Sequence, residues 1–347
     1  MLVAPSLGWP TLRSMDPLTQ AGLGAAAAAI FSRRNNIRTA IVVGALAGAA
    51  PDLDVLIRSQ QDPLLSLEYH RHFSHALLVA PLIGLVVAYL YRLIFRYYKF
   101  PFRELAIFGI AGALTHGLLD ACTSYGTRLY WPFSQHRESW DMISIIDPIF
   151  TLPLLALTVL AFALRWPAAC RVALVLCFAY FGFGIVQRER AQHFAQALAA
   201  ERGHRPQELT ARPSFGNTIL WRTIYREGEE YHVDAVNLLP FSTPKLYPGA
   251  SVTGITLEAQ QALIAGRSIL AHDVERFRHF SQGYLYPHPK HPDVLADLRY
   301  AMLPDSVDPL WGIRVPPAGE DASVEMLYFR TADKATVDRL KGMLRRQ

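Results

Sequence analysis

Residues 68–91, "EYHRHFSHALLVAPLIGLVVAYLY", set His70, Arg71, His72 and His75 directly against a long apolar run. Imidazoles cost little in water and more in hydrocarbon, so a cluster at that boundary suggests a site that uses both environments. Two further groups have the same character. In "AAPDLDVLI", Asp52 and Asp54 end an apolar run. In an extended segment, residues two apart point the same way, whereas on a regular helix they diverge. An ionised aspartate at the centre of a span costs roughly 2.5–3.5 kcal/mol. These two therefore sit at the boundary, pair, or bind a cation; the plainer reading is a solvated helix end. In "ALTHGLLDACTSYG", His116 and Asp120 are four apart and share one helix face. Such a pair can ligate one metal, or the carboxylate can orient the imidazole. His72 and His75, three apart, share a face on a helix, while His70 and His75 suit a loop ligand plus a first-turn ligand.

All three groups fall at one predicted membrane face. Imidazole and carboxylate suit zinc, manganese, iron or nickel, with zinc first among them. There are enough ligands for one ion or for two, as in hydrolases that clamp a phosphate.

The elements that must position these groups are apolar. The 347 residues are 51% hydrophobic and 18% charged, with a mean hydropathy of +0.16. That charge content is low for a soluble domain. The average conceals a division near 186: apolar runs come before it, and charges, prolines and polar residues after it. Residues 1–14 read as a disordered extension without the pattern of a secretory signal. Residues 15–186 read as an α-helical integral membrane bundle of five or six spans. Residues 187–347 read as a C-terminal α+β soluble domain. The spans are 37–56, 76–95, 105–119, 148–164 and 168–186, with the short 17–31 as a full or partial sixth.

Arg33, Arg34 and Arg38 follow the first run; Arg92, Arg96, Lys99 and Arg103 follow the third; Arg165 and Arg171 follow the fifth. The positive-inside rule places those connections in the cytoplasm, and so the C-terminal domain in the periplasm. Arg188 and Arg190, just past the last span, weigh the other way. No dense basic tract with interleaved aromatics points to nucleic acid. Cys122, Cys170 and Cys177 form no CxxC pair and read as small apolar packers.

Beyond the bundle, "TILWRTIYREGEEYHVDAVNLL" reads as a hairpin around Glu227-Gly228. "SVEMLYFRT" reads as a strand, and "TLEAQQALIAGRSILAHDVERFRHFSQG" as a helix ending near Gly283. "YPHPKHP", with His288 and His291, reads as a surface loop. Between the spans, His136 and Arg137 read as solvated, and Trp131, Trp140 and Tyr130 as an interfacial belt. Asp147-Pro148 has the form of an N-cap followed by a first-turn proline, as does Asp16-Pro17.

Taken together, "MDPLTQAGLGAA", "PDLD", "HRHFSHALL", "THGLLDACTSYGTRLYWPFS" and "SIIDP" resemble the YdjM-like family of membrane-bound metal-dependent hydrolases, over about 15–164. The resemblance implies an integral inner-membrane protein with metal-dependent hydrolase activity. It maps metal ligands onto Asp52, Asp54, His70, His75, His116 and Asp120. His72 falls where many members have a small residue, and Gln20 where many have histidine.

The expected chemistry is metal-assisted attack of water on an ester or phosphoester, with Arg71 holding an anionic oxygen and Asp147 as a further catalytic candidate. A site at the lipid boundary points to membrane lipid, or another amphiphilic or phosphoester substrate, as partner. Two other functions share part of the pattern. A metal or proton transporter also needs intramembrane His and Asp, but at several depths. A membrane-anchored binding protein would leave the polar cluster structural.

Overall fold

The computed structural model describes residues 16–346 except 97–98 and 331–332, so the extension assigned to 1–14 lies outside the described residues. The chain begins with α1 (Pro17–Ile30) and α2 (Ile37–Ala49), the latter continuing as a 3-10 turn, Ala50–Leu56. After the short α3 (Leu65–Tyr69) and a second 3-10 turn, Phe73–His75, come α4 (Ala80–Ile94), α5 (Phe102–Ala121), α6 (Pro148–Leu164) and α7 (Pro167–Glu201).

Asp16 and Asp147 cap α1 and α6 in the same way. Asp16 accepts from the Leu18 amide, and Asp147 from those of Ile149 and Phe150. The hydroxyls of Thr19 and Thr151, one turn in, meet at 2.6 Å and tie the two helix starts together. At the far end, Asn36 donates to Glu104 at 2.8 Å. Arg38 donates to the carbonyls of Phe162 and Ala163 at 3.0 and 3.2 Å. The three basic connections therefore gather at one end of the bundle.

Helix pairs approach closely through small residues, as apolar helices do when no large side chain intervenes. A Cβ on Gly24 of α1 would lie 2.5 Å from the Gly44 carbonyl oxygen of α2. By length and composition, three segments can cross a membrane: Ile37–Leu56, Phe102–Ala121 and Pro167–Glu201. A fourth follows if Leu65–His75 and Ala80–Ile94, bent by 82°, count as one span. Three or four segments thus qualify where the sequence suggested five or six; α6 is apolar but shorter. At 14 residues, α1 is about 21 Å long, short of the ~30 Å hydrocarbon core.

Helix α7 has 35 residues, about 52 Å, and leaves the bundle without a break. The boundary drawn at 186/187 falls inside it. There Gln187 is buried and donates to the carbonyls of Thr218 and Leu238. The C-terminal part holds two antiparallel four-stranded sheets. The first runs in sequence order through β1 (Glu208–Pro213), β2 (Leu220–Glu227), β3 (Glu230–Asn237) and β4 (Lys245–Thr253). The β2–β3 hairpin turns at Gly228-Glu229, and Glu227 pairs with Glu230.

Next come α8 (Leu257–Ile264) and α9 (Ser268–Phe280), where the sequence suggested one helix; a turn at Gly266 separates them. The second sheet comprises β5 (Leu285–His288), β6 (His291–Asp297), β7 (Trp311–Arg314) and β8 (Glu325–Tyr328), and α10 (Lys334–Arg345) closes the chain. "YPHPKHP" is thus the β5–β6 hairpin rather than an irregular loop.

The C-terminal part packs onto the bundle end opposite the basic connections. Arg276 of α9 bonds Asp62 and Glu68 at 2.9–3.0 Å. Leu64 and Tyr125, from connections in the membrane half, belong to one apolar cluster with Leu270, Phe277, Phe280 and Trp311. The three cysteines are buried and unpaired, as small apolar packers are.

Candidate metal centre

Asp52 and Asp54 lie on the 3-10 turn that ends α2, not on an extended segment. His70 and His75 lie in the compact turn between α3 and α4. The first turn of α4 begins only at Ala80, so His72 and His75 do not share a regular helix face. His116 and Asp120 occupy the last turns of α5, as expected from their spacing. The three groups converge.

His75 is the centre of the cluster, and three aspartates address its two nitrogens. Its Nδ1 lies 3.2 Å from Asp54 Oδ2. Its Nε2 lies 3.6 Å from Asp52 Oδ1 and 3.1 Å from Asp120 Oδ2. The His116 Nε2 lies 2.8 Å from the His75 Nε2, 3.5 Å from Asp52 Oδ1 and 3.7 Å from Asp120 Oδ2. The other nitrogen of His116, Nδ1, is 2.6 Å from the Gly48 carbonyl oxygen. A carbonyl can only accept, so Nδ1 carries the proton, and a neutral His116 has a bare Nε2. The Ser74 hydroxyl donates to Asp54 and lies 3.0 Å from His75 Nδ1, so the same tautomer of His75 donates from Nδ1 to Ser74, beside Asp54, and leaves its Nε2 bare. Two lone pairs then face one another across 2.8 Å, an arrangement that calls for a cation or a proton between them.

The donor set fits a divalent metal. A tetrahedral site with ~2.0–2.1 Å bonds has ligand atoms roughly 3.3–3.4 Å apart. The triangle of His75 Nε2, His116 Nε2 and Asp52 Oδ1 has edges of 2.8, 3.5 and 3.6 Å. Both oxygens of Asp52, and Asp120 Oδ2, are buried and accept no hydrogen bond among the described residues.

Behind these atoms is a set of orienting groups. Asp54 accepts from His70 Nδ1 at 2.8 Å, the Arg71 amide at 3.1 Å and the Ser74 hydroxyl at 2.8 Å. Gln20 donates to Asp120 Oδ1 at 2.9 Å and so helps to hold that carboxylate. Asp52, Asp54 and His70 also have one ligand atom each within 4.8 Å of one another, a second possible grouping that shares Asp52. Side-chain exposure is 13% at Asp52 and no more than 4% at Asp54, His70, Arg71, His75, His116 and Asp120. The small exposure of Asp52 is at its carbons, since both of its oxygens are buried.

Arg71 is fully buried with a left-handed backbone, φ 61°. Its Nε lies 3.2 Å from Asp120 Oδ2, its Nη1 donates to Thr123, and its plane sits 4.8 Å from the Tyr125 ring. Its Nη2 has no hydrogen-bond partner among the described residues. His72 stands apart from the cluster, against Tyr69 and Trp131.

Among the described residues Asp147 has no hydrogen bond or ion pair with the cluster; it caps α6 and accepts from the Tyr180 hydroxyl at 2.8 Å. We expect Asp147→Asn, which retains a capping oxygen, to melt within about 0.5 kcal/mol of wild type, and Asp147→Ala to lose about 1 kcal/mol. Thermal unfolding of both in detergent checks this. Turnover abolished in the well-folded Asn variant would instead mark Asp147 as part of the chemistry.

Arg137, expected in solvent, is buried. Its guanidinium donates to the carbonyls of His70 and Gly126 and faces the rings of Tyr125 and Phe280. Burial, with the Arg128, Arg71 and Arg299 charges nearby, pushes it down to about 10, so it stays protonated at neutral pH. Burial likewise raises the Asp141 carboxyl. Tyr125 is the joint between the halves, with Arg71 on one side and Phe280 and Trp311 of the C-terminal part around it. Ser74, Gly48, Thr123 and Tyr125 were not evident as site residues in the sequence. Of these only Ser74 had a signal, its place inside "HFSH".

The YdjM inner membrane protein family model matches residues 15–191, just over half of the chain. The chain belongs to that family. No curated protein and no solved structure matches it. The family match covers every residue of the Asp–His cluster and ends within α7. Family membership and the apolar helices together make this YdjM-family chain an inner-membrane protein.

Proposed function

We propose that this YdjM-family chain is a metal-dependent hydrolase of the inner membrane that cleaves an ester or phosphoester of an amphiphilic, lipid-like substrate. The observation that carries the reading is the pair of Nε2 atoms of His75 and His116. They face each other at 2.8 Å with each Nδ1 committed elsewhere. Asp52 and Asp120 complete the donor set, Asp54 and Gln20 orient it, and zinc is the first candidate ion. When bound, the ion supplies Lewis acidity, polarising an ester or phosphoryl oxygen and bringing the pKa of a water towards neutrality.

The protein's own groups do the rest. Asp52, whose two oxygens accept no hydrogen bond among the described residues, is the carboxylate left to take a proton from a water at the site. Arg71 steadies Asp120 through Nε and keeps Nη2 as a donor for an anionic substrate oxygen. All six apolar helices run between the basic end and the cluster end, and we read that as a six-helix crossing with α1 and α6 short. With the basic connections in the cytoplasm, the cluster and the C-terminal part face the periplasm.

The experiment is turnover in lipid nanodiscs with amphiphilic phosphomonoesters, phosphodiesters and carboxyl esters. Chelator-stripped and zinc- or manganese-restored protein are compared. Metal-restored release of product from one class is the expected result. No turnover of any class by metal-loaded protein, together with metal flux into liposomes, would replace the hydrolase by a transporter.

A further inference from the structure

A second set of metal-competent side chains lies outside the segment matched by the family, where α7 meets the first sheet. His204 follows the last turn of α7, Glu227 ends β2 and His232 lies on β3. One ligand atom from each falls within 4.8 Å of the others. The His204 Nε2 is 3.7 Å from Glu227 Oε2, near the ~3.4 Å edge of a tetrahedral site with ~2.1 Å bonds. The two imidazole rings are 4.5 Å apart, centre to centre.

Each member has its other polar atom held by a neighbour. His204 Nδ1 is 2.8 Å from the Tyr225 hydroxyl, and His232 Nδ1 is 2.8 Å from the Ser251 hydroxyl across the β3–β4 ladder. Glu227 Oε1 accepts from the Arg205 amide at 2.9 Å, which leaves Oε2 for the histidines. Each hydroxyl can accept from Nδ1, and in that tautomer both Nε2 atoms are bare. Metal-bound histidines are fixed in this way by a second hydrogen bond. Arg202, whose charge bears on His232, is committed to Asp234 at 2.6 and 2.9 Å. Side-chain exposures of 26%, 37% and 11% for His204, Glu227 and His232 leave the site reachable by an ion from solvent. Glu230, whose carboxylate is 3.8 Å from His232 Nε2, can supply a fourth ligand.

We propose that His204, Glu227 and His232 form a second divalent transition-metal site, of the zinc class, which fastens the outer end of the last membrane helix to the β2–β3 hairpin. Two imidazoles and a carboxylate suit zinc better than magnesium or calcium, which prefer oxygen alone. The site adds a bond between elements that otherwise meet by packing and hydrogen bonds. It owes nothing to the cluster around His75.

The test uses the full chain in detergent, stripped with a chelator and titrated with Zn2+ alone. Stoichiometry and melting temperature are read in wild type, His204→Ala, Glu227→Gln, and the His75→Ala/His116→Ala double variant. We expect His204→Ala to bind one equivalent fewer than wild type, and Glu227→Gln to weaken that equivalent by at least about tenfold. Zinc should raise the melting temperature of the double variant, and adding His204→Ala to it should remove the rise. Failure of the His75 cluster to bind metal would leave one equivalent in wild type and none in His204→Ala, which still supports this site. Equal stoichiometry in wild type, His204→Ala and Glu227→Gln, with metal-free melting unchanged, would overturn it.

Discussion

In a His204→Ala background, which removes the hairpin site, His116→Ala protein binds zinc more than about a hundredfold more weakly than its parent. The estimate starts from the neighbours of metal ligands, whose loss costs 10–100-fold in affinity; loss of a ligand itself should cost more. Here the alanine removes one of the two opposed nitrogens and leaves His75 Nε2, Asp52 and Asp120 without their fourth corner. It also strips the Gly48 carbonyl of its imidazole donor. Asp54→Asn provides the graded comparison. It leaves all four inward atoms in place and weakens the acceptor that His70, the Arg71 amide and Ser74 share beside His75 Nδ1, so a loss of 10–100-fold is expected. Elemental analysis and zinc titration of purified protein measure both. Equal metal content in parent and His116→Ala would end the metal-centre reading.

The second large effect comes from a residue with no chemistry of its own. Gly117→Ala puts a Cβ 2.0 Å from the His75 carbonyl oxygen and 3.2 Å from a Leu129 methyl group. The first contact is with backbone, so no rotamer change relieves it; α5 must shift, or the turn that carries His75 must. Either movement separates His75 from His116, the next residue to Gly117 on α5. Overpacking of this sort costs about 1–3 kcal/mol, occasionally more. We place this variant at the upper end, with metal binding lost as well. Gly182→Ala is the control, because nothing lies within 4 Å of its added Cβ. Melting curves and zinc titrations of the two variants separate the outcomes. Wild-type melting and zinc affinity in Gly117→Ala would show that the approach of α5 to the His75 turn is not needed.

Much of the site was legible because its members are costly where they stand. Aspartates and histidines bordering apolar runs have few uses in hydrocarbon, so Asp52, Asp54, His70, His75, His116 and Asp120 could be named before any fold was known. Their division of labour could not. Spacing alone treats Asp52 and Asp54 as equals, yet one meets His75 at Nε2 and the other at Nδ1, because the 3-10 turn swings them apart. Arg137 was misread for a related reason. A lone arginine in a polar connection resembles any solvated one, and its burial depends on Tyr125 and on Phe280, 143 positions further along the chain. The sequence counted five or six spans where three or four segments are long and apolar enough to cross, because hydropathy counts apolar runs, whereas α1 has only 14 residues, most of them buried within the bundle.

By itself the sequence determined the membrane bundle, the polar α+β part that follows, the family and the six Asp and His residues. Those features follow from composition, period and local order, which need no partner elsewhere in the chain. Tertiary structure alone decided which nitrogen faces which carboxylate, that the C-terminal part closes over the Tyr125 connection, and that α7 joins the halves as one continuous helix. These depend on contacts between residues far apart in sequence, set by helix packing through glycine and by the burial of aromatic and arginine side chains from both halves.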